Sequence, residues 1–362
     1  MGEVLFEVLI ACALSAAPNV LLISIDTLRA DRLGCYGYEY DTSPNIDKQA
    51  ARSLVFDNMI VEEPQTGPSM IAMFTSQYPR VTGTTRNAVP VSSAVPTIIE
   101  SFHDAGYKTG AVLSNWNLKR ELSNIARGFD AYEDDFGRNW IGMGRKEREA
   151  KDVTNIAIEW FEKRDIQKPF LYWAHYIDPH SPYHFRGGFN VRDVLPRELD
   201  SDESLDARYD SEVAYADHHI GRLLEVVPRE NTYIVITADH GESLMEHGYL
   251  GHTREIYQTT MHVPLLISGP GIDPGRSAAP VRGIDIGPTL LALAGLTPLT
   301  NASGVDITSA TIPVERPRVF ETYDGGIPDG DDVRAELADR PPSRQGIIVG
   351  SWKLILRDDR PL

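Results

Sequence analysis

Cysteine is scarce in this 362-residue sequence, which contains only Cys12 and Cys35. Two cysteines cannot build a disulfide framework, and their spacing excludes a zinc site of the Cys-x-x-Cys type. Long apolar runs are also lacking, because the stretch at residues 4–17 is too short to span a bilayer and is interrupted by Glu7. We therefore expect neither a disulfide scaffold nor a transmembrane span.

The sequence is also poor in positively charged residues. The chain has 35 Lys and Arg against 52 Asp and Glu, which gives a formal net charge of -17. No run of Lys or Arg offsets this negative field, so nucleic-acid binding is not expected. If the substrate is itself an anion, a bound metal and histidines must hold it locally, since no broad basic surface is available.

The apolar segment at residues 1–18 has two interpretations. The run at residues 9–12, LIAC, resembles a lipoprotein processing box, which would imply secretion or a lipid anchor. However, the segment contains no Lys or Arg, and a targeting segment needs a positively charged start. We favour an ordinary packed helix and a cytoplasmic location, with secretion and lipid anchoring as alternatives. Oligomeric state is left open.

The pattern of apolar residues predicts the fold class. Short runs rich in β-branched residues predict buried strands at 19–25, 109–114, 170–176, 232–237 and 263–268. Stretches of helical period lie between them and predict helices at 44–53, 69–77, 96–105, 151–164, 209–227 and 286–294. This alternation indicates an α/β fold with a doubly wound, mostly parallel sheet flanked by helices.

The chain is long enough for one large α/β domain, which we place at 19–315. Three short strand-like runs after residue 316 predict a small C-terminal antiparallel sub-sheet over 316–362. In the helix at 209–227 an apolar stripe predicts a covering helix, with Asp210, Glu212 and Asp217 largely outside the stripe. Residues 178–207 and 323–344 are expected to form long loops.

Candidate metal ligands follow two of the predicted strands. Asp26 ends the first strand, and Asp239 and His240 follow the strand at 232–237. Functional groups of open α/β sheets collect at the carboxyl ends of strands, so these three side chains are expected to meet. Their oxygen and nitrogen atoms suit Ca, Mg, Mn or Zn. A helix cap or an Asx-turn is the alternative for any single one of them.

Thr66 precedes an apolar run that has helical character, with Pro68 near the start of the helix. One interpretation is that Thr66 only caps this helix. In the other, the positive helix end faces an incoming sulfate or phosphate and the Thr66 hydroxyl lies beside that anion. Coordination to a divalent cation would lower the pKa of the hydroxyl and make it a nucleophile.

Five segments resemble the sulfatase family of the alkaline-phosphatase-like superfamily in order and spacing. They are NVLLISIDTLRADRLGCYGY, TGPSMIAMFTSQYPRVTG, HYIDPHSPY, TADHGESLMEHGYLGH and VPLLISGPG, within residues 19–295. The resemblance implies that Asp26, Thr66, Asp239 and His240 bind a divalent cation and that Thr66 is the nucleophile. It also implies that His180 and His252 face the anion or the leaving group.

The nucleophile segment departs from the sulfatase pattern Cys-x-Pro-x-Arg, in which the Cys is oxidised to formylglycine. Thr66 replaces the Cys and Met70 replaces the Arg, so formylglycine is not expected. A threonine version of this segment resembles the subgroup of phosphonate monoester hydrolases and phosphodiesterases. The family's Lys-Trp-His element resembles Asn115-Trp116-Asn117, which makes Asn115 and Asn117 candidates for substrate binding together with His180 and His252.

These observations predict a metal-dependent hydrolase that cleaves a small anionic ester, a phosphate diester, phosphonate or sulfate ester, through a covalent intermediate on Thr66. A sulfuric ester hydrolase of the arylsulfatase kind and a degenerate, non-catalytic binding protein are the alternatives. A second metal held by Asp178, His180 and His252 is a further alternative. His175 is expected to support the site by hydrogen bonding rather than to bind the metal.

Overall fold

The computed structural model describes residues 17–136, 147–192, 202–309, 311–323, 341–357 and 360–361. Most of the N-terminal apolar segment and much of both predicted loops therefore lie outside the described residues. Within the described chain, no helix combines the length and the apolar character that a membrane crossing requires.

Ten strands precede residue 283 in the described chain. They are β1 (Asn19–Ile25), β2 (Leu54–Ile60), β3 (Lys108–Val112), β4 (Ala131–Glu133), β5 (Phe170–Tyr176), β6 (Thr232–Ala238), β7 (Ser243–Leu244), β8 (Leu250–Gly251), β9 (Leu265–Ser268) and β10 (Gly275–Arg282). Eight form the main sheet, in the order β10-β2-β9-β6-β1-β5-β3-β4. Only β9 runs antiparallel to its neighbours. The predicted mostly parallel α/β sheet is confirmed.

The α-helices of the described chain are α1 (Pro44–Ala50), α2 (Thr66–Thr75), α3 (Pro79–Thr82), α4 (Ile98–Asp104), α5 (Arg120–Ser123), α6 (Ala150–Lys163), α7 (Asp202–Val226), α8 (Gln258–Met261) and α9 (Ile286–Leu293). Every residue of α2 is buried. Phe74 of this helix meets Trp173 of β5 edge to face, with 4.8 Å between ring centroids. The helix that begins at Thr66 is thereby fixed against the centre of the sheet.

The apolar stripe of α7 is buried as predicted, and the acidic residues outside the stripe are buried as well. Asp210, Glu212 and Asp217 are no more than 2% exposed. Glu212 pairs with Arg186 at 2.6 Å, and Asp217 accepts the backbone N–H groups of Asn45 and Ile46. Since buried carboxylates need partners, these residues anchor loops and the start of α1 rather than face solvent.

The predicted C-terminal sub-sheet is present. It consists of β11 (Arg318–Thr322), β12 (Arg344–Val349), β13 (Trp352–Arg357) and β14 (Arg360–Pro361), all antiparallel. The sheet joins the main domain where the Glu321 N–H donates to the Glu62 carbonyl at 2.9 Å. Glu62 lies just beyond the carboxyl end of β2. The small sheet therefore lies near the same edge of the main sheet as Asp26 and Asp239, the edge at which the parallel strands end.

Candidate active site

Asp26, Asp239 and His240 meet at the carboxyl ends of two neighbouring parallel strands. The register of β1 and β6 pairs Ile25 with Ala238, so the next residue of each strand, Asp26 and Asp239, extends from the same edge. All three candidate ligands are completely buried. One ligand atom from each lies within 4.8 Å of the others.

Hydrogen bonds around the cluster leave one ligand atom of each residue free. Asp239 Oδ1 accepts the N–H groups of Thr27 at 3.2 Å and His240 at 2.8 Å. His240 Nδ1 lies 3.0 Å from the Gly241 carbonyl, which fixes it as the protonated nitrogen. Within the described chain, Asp26 Oδ1, Asp239 Oδ2 and His240 Nε2 are buried without a hydrogen-bond partner. Two carboxylate oxygens and one imidazole nitrogen fit a divalent cation.

The electrostatics of the cluster also favour a cation. Burial raises the pKa of Asp239 well above its usual value, and the adjacent Asp26 raises it further. Burial alone would raise the pKa of Asp26 too, but the neighbouring His175, His180 and His240 lower it below the ordinary range. Burial and the nearby His252 lower the pKa of His240 to about 3. His240 is therefore a neutral imidazole, the form that binds metals.

Thr66 is the first residue of α2, and its hydroxyl lies 3.4 Å from Asp26 Oδ2. The helix thus begins three residues earlier than predicted, and the cap position is occupied by Gln65 rather than Thr66. Ser69 Oγ donates to the Asp239 carbonyl at 2.5 Å, which ties α2 to the ligand-bearing strand. The Thr66 hydroxyl is consequently held at the edge of the ligand cluster.

The start of α2 offers fewer free amides to an anion than the sequence suggested. The Gly67 N–H donates to Asn87 Oδ1 at 2.7 Å, and Pro68 has no N–H. Asn87 was not singled out from the sequence, because a side chain twenty-one positions beyond Thr66 gives no local signal of capping that helix. An anion bound here would depend mainly on side chains for its hydrogen bonds.

Asn115 reaches Thr66 from the loop after β3. Its Nδ2 lies 2.5 Å from Asp26 Oδ2 and 3.2 Å from Thr66 Oγ1. Its Oδ1 accepts the Asn117 N–H at 2.8 Å, and this bond fixes which side of the amide faces the site. Asn117 is half-buried, and its Oδ1 has no hydrogen-bond partner.

Two further histidines predicted from the sequence lie at the same edge. The His252 ring is 4.5 Å from the His240 ring and 5.1 Å from the His180 ring, centroid to centroid. His252 Nδ1 lies 2.9 Å from the completely buried Glu242. Burial alone would lower the pKa of His252, but the Glu242 carboxylate raises it above its usual value. Glu242 was not singled out from the sequence, which does not show that its side chain points toward His252.

The alternative of a second metal at Asp178 finds no support in the geometry. Asp178 Oδ2 accepts the Ala150 N–H at 2.9 Å, and Oδ1 accepts from Arg186 at 2.8 Å. Both oxygens are thus committed to the start of α6 and to an ion pair. Among the described residues, only Asp26, Asp239 and His240 form a close group of three or more potential ligands.

The predicted supporting role of His175 agrees with its position. His175 Nδ1 hydrogen-bonds with Ser24 Oγ at 2.8 Å. Its Nε2, which has no hydrogen-bond partner among the described residues, lies 3.6 Å from Asp26 Oδ2. His175 is therefore placed to orient Asp26.

The main sheet, with the candidate ligands at its carboxyl edge, has the alkaline-phosphatase-like fold. The phosphonate monoester hydrolase of Silicibacter pomeroyi superposes with a TM-score of 0.74 at 20% identity, covering 95% of this chain and 88% of that chain. The sulfatase family model matches residues 18–296, and the chain belongs to the sulfatase family.

Curated relatives agree with this assignment. The choline-sulfatase of Rhizobium meliloti is 24% identical over 354 residues, covering 77% of this chain and 68% of the relative. An N-acetylglucosamine-6-O-sulfatase of Bacteroides thetaiotaomicron is 25% identical over 393 residues, covering 80% of this chain and 70% of the relative. Such relatives are ester-bond hydrolases, and this chain is a hydrolase of the same kind.

Proposed function

We propose that this protein hydrolyses small anionic esters with Thr66 as its nucleophile and a divalent cation bound at Asp26, Asp239 and His240. The observation that carries the proposal is the convergence of three buried, unpartnered ligand atoms next to the Thr66 hydroxyl. Burying one unpartnered oxygen of each carboxylate and one unpartnered imidazole nitrogen would be costly in the absence of a ligand. The bound cation would supply Lewis acidity toward the ester and toward the Thr66 oxygen.

The protein's own groups define the two chemical steps. Thr66 Oγ1 gives its proton to solvent and forms a bond to the phosphorus or sulfur atom, while the bond to the leaving oxygen breaks on the opposite side and that oxygen takes up a proton. Water then attacks the same phosphorus or sulfur atom, the bond to Thr66 Oγ1 breaks, and a proton returns to Thr66. Asp26 Oδ2, at 3.4 Å, and the Asn115 amide, at 3.2 Å, hold the Thr66 oxygen in position during both steps.

The imidazoles of His180 and His252 complete the site on its substrate side. His180 Nδ1 is engaged with the Ser181 carbonyl at 2.6 Å, and His252 Nδ1 with Glu242 at 2.9 Å. The Nε2 atom of each ring is therefore left for the anion or for the leaving oxygen. Glu242 fixes the orientation of His252, so the ring is already in place when the ester binds.

We place phosphate diesters and phosphonates ahead of sulfate esters as substrates. The support comes from Thr66 and Met70, which stand where the sulfatase pattern has Cys and Arg, and from Asn115 and Asn117 in place of Lys and His. Sulfate-ester hydrolysis by the same residues is the second candidate, favoured by the sulfatase relatives. All three ester types carry one negative charge near neutral pH, so the same site could bind each of them.

A substrate panel tests the proposal. Aryl phosphate diester, aryl phosphonate and aryl sulfate would be assayed with Mn, Ca, Mg or Zn, using wild type, Thr66→Ala and Asp239→Ala. We expect both substitutions to abolish turnover. Thr75→Ala is the matched control, because it removes a buried hydroxyl at the far end of the same helix, where Oγ1 bonds only to the Ile71 carbonyl. Near-wild-type activity in Thr66→Ala would contradict the proposal.

A preference for aryl sulfate would reverse the substrate order while leaving the nucleophile assignment intact. A folded, cation-loaded protein without turnover on any ester would favour the degenerate binding protein instead.

A further inference from the structure

The segment that carries His252 has an unusual backbone. Between residues 245 and 253, three residues other than glycine adopt positive φ: Met245 at 79°, His247 at 58° and Thr253 at 86°. L-residues rarely adopt this region, and a β-branched residue such as Thr253 is a marked outlier there. Contacts from outside the segment must hold such a conformation in place.

Hydrogen bonds fix the two peptide carbonyls on either side of this strained position. The Tyr249 hydroxyl donates to the His252 carbonyl, within the segment itself. The Thr322 hydroxyl donates to the Thr253 carbonyl. Thr322 is completely buried and ends β11, so this second contact comes from the C-terminal sheet.

An ion-pair cluster attaches the same segment to the sheet three residues beyond His252. Arg344 of β12 donates from Nε and Nη2 to the two carboxylate oxygens of Glu255, each at 2.9 Å. Arg357 of β13 adds a bond to Glu255 Oε1 at 2.8 Å. The Glu255 and Arg344 side chains are only 12% and 11% exposed. A bidentate ion pair that is so little exposed to solvent is directional, and it holds the segment in one position.

We propose that the C-terminal sheet is a working part of the active site, in which Thr322 and the Glu255–Arg344 pair are positioning residues for His252. The Nδ1 bond to Glu242 sets the rotation of the His252 ring, but the location of the ring depends on the backbone at residues 252 and 253. Thr322 holds that backbone in its strained form. The inference rests on the role of His252 in the proposed function, and it extends the active site to β11 and β12.

A double-mutant cycle distinguishes positioning from general stability. Thr322→Val removes the hydroxyl at nearly constant volume, and Glu255→Gln weakens the ion pair. Each is measured in the wild-type background and with His252→Ala, using aryl phosphate diester and the activating cation. We expect each single substitution to lower kcat/KM by on the order of tenfold to 100-fold, because a displaced group loses its alignment with the substrate. With His252→Ala, neither should cause a further loss.

Two controls accompany the cycle. Thr322→Ser keeps the donor hydroxyl and should restore most of the activity that Thr322→Val loses. Glu100→Gln weakens another partly buried pair, Glu100 with Arg127 at 2.9 Å, far from the site, and should leave kcat/KM unchanged.

The outcomes separate the two hypotheses. If His252→Ala lowers activity and the losses in the double mutants are fully additive, the sheet does not act through His252 and the inference is overturned, while the proposed function stands. The inference is also overturned if Thr322→Val and Glu255→Gln both retain wild-type kcat/KM. If His252→Ala itself retains full activity, the role of His252 is wrong and the inference falls with it, whereas the Thr66 assignment is tested separately by Thr66→Ala.

Discussion

The side-chain amide nitrogen of Asn115 lies 3.2 Å from the hydroxyl oxygen of Thr66. The same nitrogen donates to Asp26, and the amide oxygen accepts the N–H of Asn117. Both N–H groups of this amide are therefore engaged within the protein. This geometry favours orientation of Thr66, the proposed nucleophile, as the main role of Asn115. Asn117 is then the more available of the two candidates for substrate binding.

The first prediction follows from that difference. We expect Asn115→Ala to lower kcat on the order of tenfold to 100-fold with little change in KM, because the amide acts on Thr66 rather than on the bound substrate. Asn117→Ala should instead raise KM. Steady-state kinetics on aryl phosphate diester would check both, and a pure KM effect in Asn115→Ala would show that this amide contacts substrate.

The second prediction concerns metal content. We expect one divalent cation per chain, lost in Asp239→Asn and in His240→Ala, because each substitution removes one of the unpartnered ligand atoms. Asp178→Asn is the control and should keep the cation, since the Asp178 oxygens bond to Ala150 and Arg186. Elemental analysis of the folded proteins measures the number of divalent cations per chain. Two cations per chain, or loss in the Asp178 variant, would favour the second-metal alternative.

The third prediction links pH to stability through Glu62. Burial, reinforced by Asp285, raises the pKa of Glu62 to about 8. Between about pH 4.5 and 8, the folded state keeps the Glu62 proton that the unfolded state has released. The contribution of Glu62 to the free energy of unfolding is therefore fully present below about pH 4.5 and is lost as pH rises toward 8. Glu62→Gln keeps the shape of the side chain and removes this titration.

We therefore expect Glu62→Gln to match wild type at pH 5 but to exceed its free energy of unfolding by about a few kcal/mol at pH 9. Urea denaturation at the two pH values measures the difference. Glu225→Gln, at an exposed position, provides the control and should show no such pH-dependent gain. An equal effect of Glu62→Gln at both pH values would contradict the raised pKa.

Much of the main sheet could be predicted because its central strands are buried on both faces. The observed bounds of β1 and β5 coincide with the predicted runs, since nearly every residue in them is apolar. β2, β4 and β10 were missed. β4 has only three residues. β2 contains Asp57 and Asn58, and β10 contains Pro280, which a strand tolerates at the edge of a sheet, where β10 lies.

The candidate site shows where sequence reasoning reaches its limit. Asp26 and Asp239 could be placed together, because parallel strands bring their carboxyl ends to one edge. The positions of Glu242 and Asn87 could not be predicted, nor could the contacts of Thr253 and Glu255 with the C-terminal sheet. They depend on side-chain directions and on residues far apart in the chain. The burial of the acidic residues of α7 could not be predicted for a related reason: a helix enclosed on several sides buries charged residues when partners are available.

The central claim is that Thr66 forms a covalent bond with the transferred group. The most direct measurement is rapid acid quenching of the cation-loaded protein during turnover of an aryl phosphate diester or phosphonate, followed by peptide mass spectrometry. We expect a peptide containing Thr66 to gain the mass of the transferred phosphoryl or phosphonyl group, and the adduct to be absent from Thr66→Val. Turnover without any adduct, together with retained activity in Thr66→Val, would contradict the account.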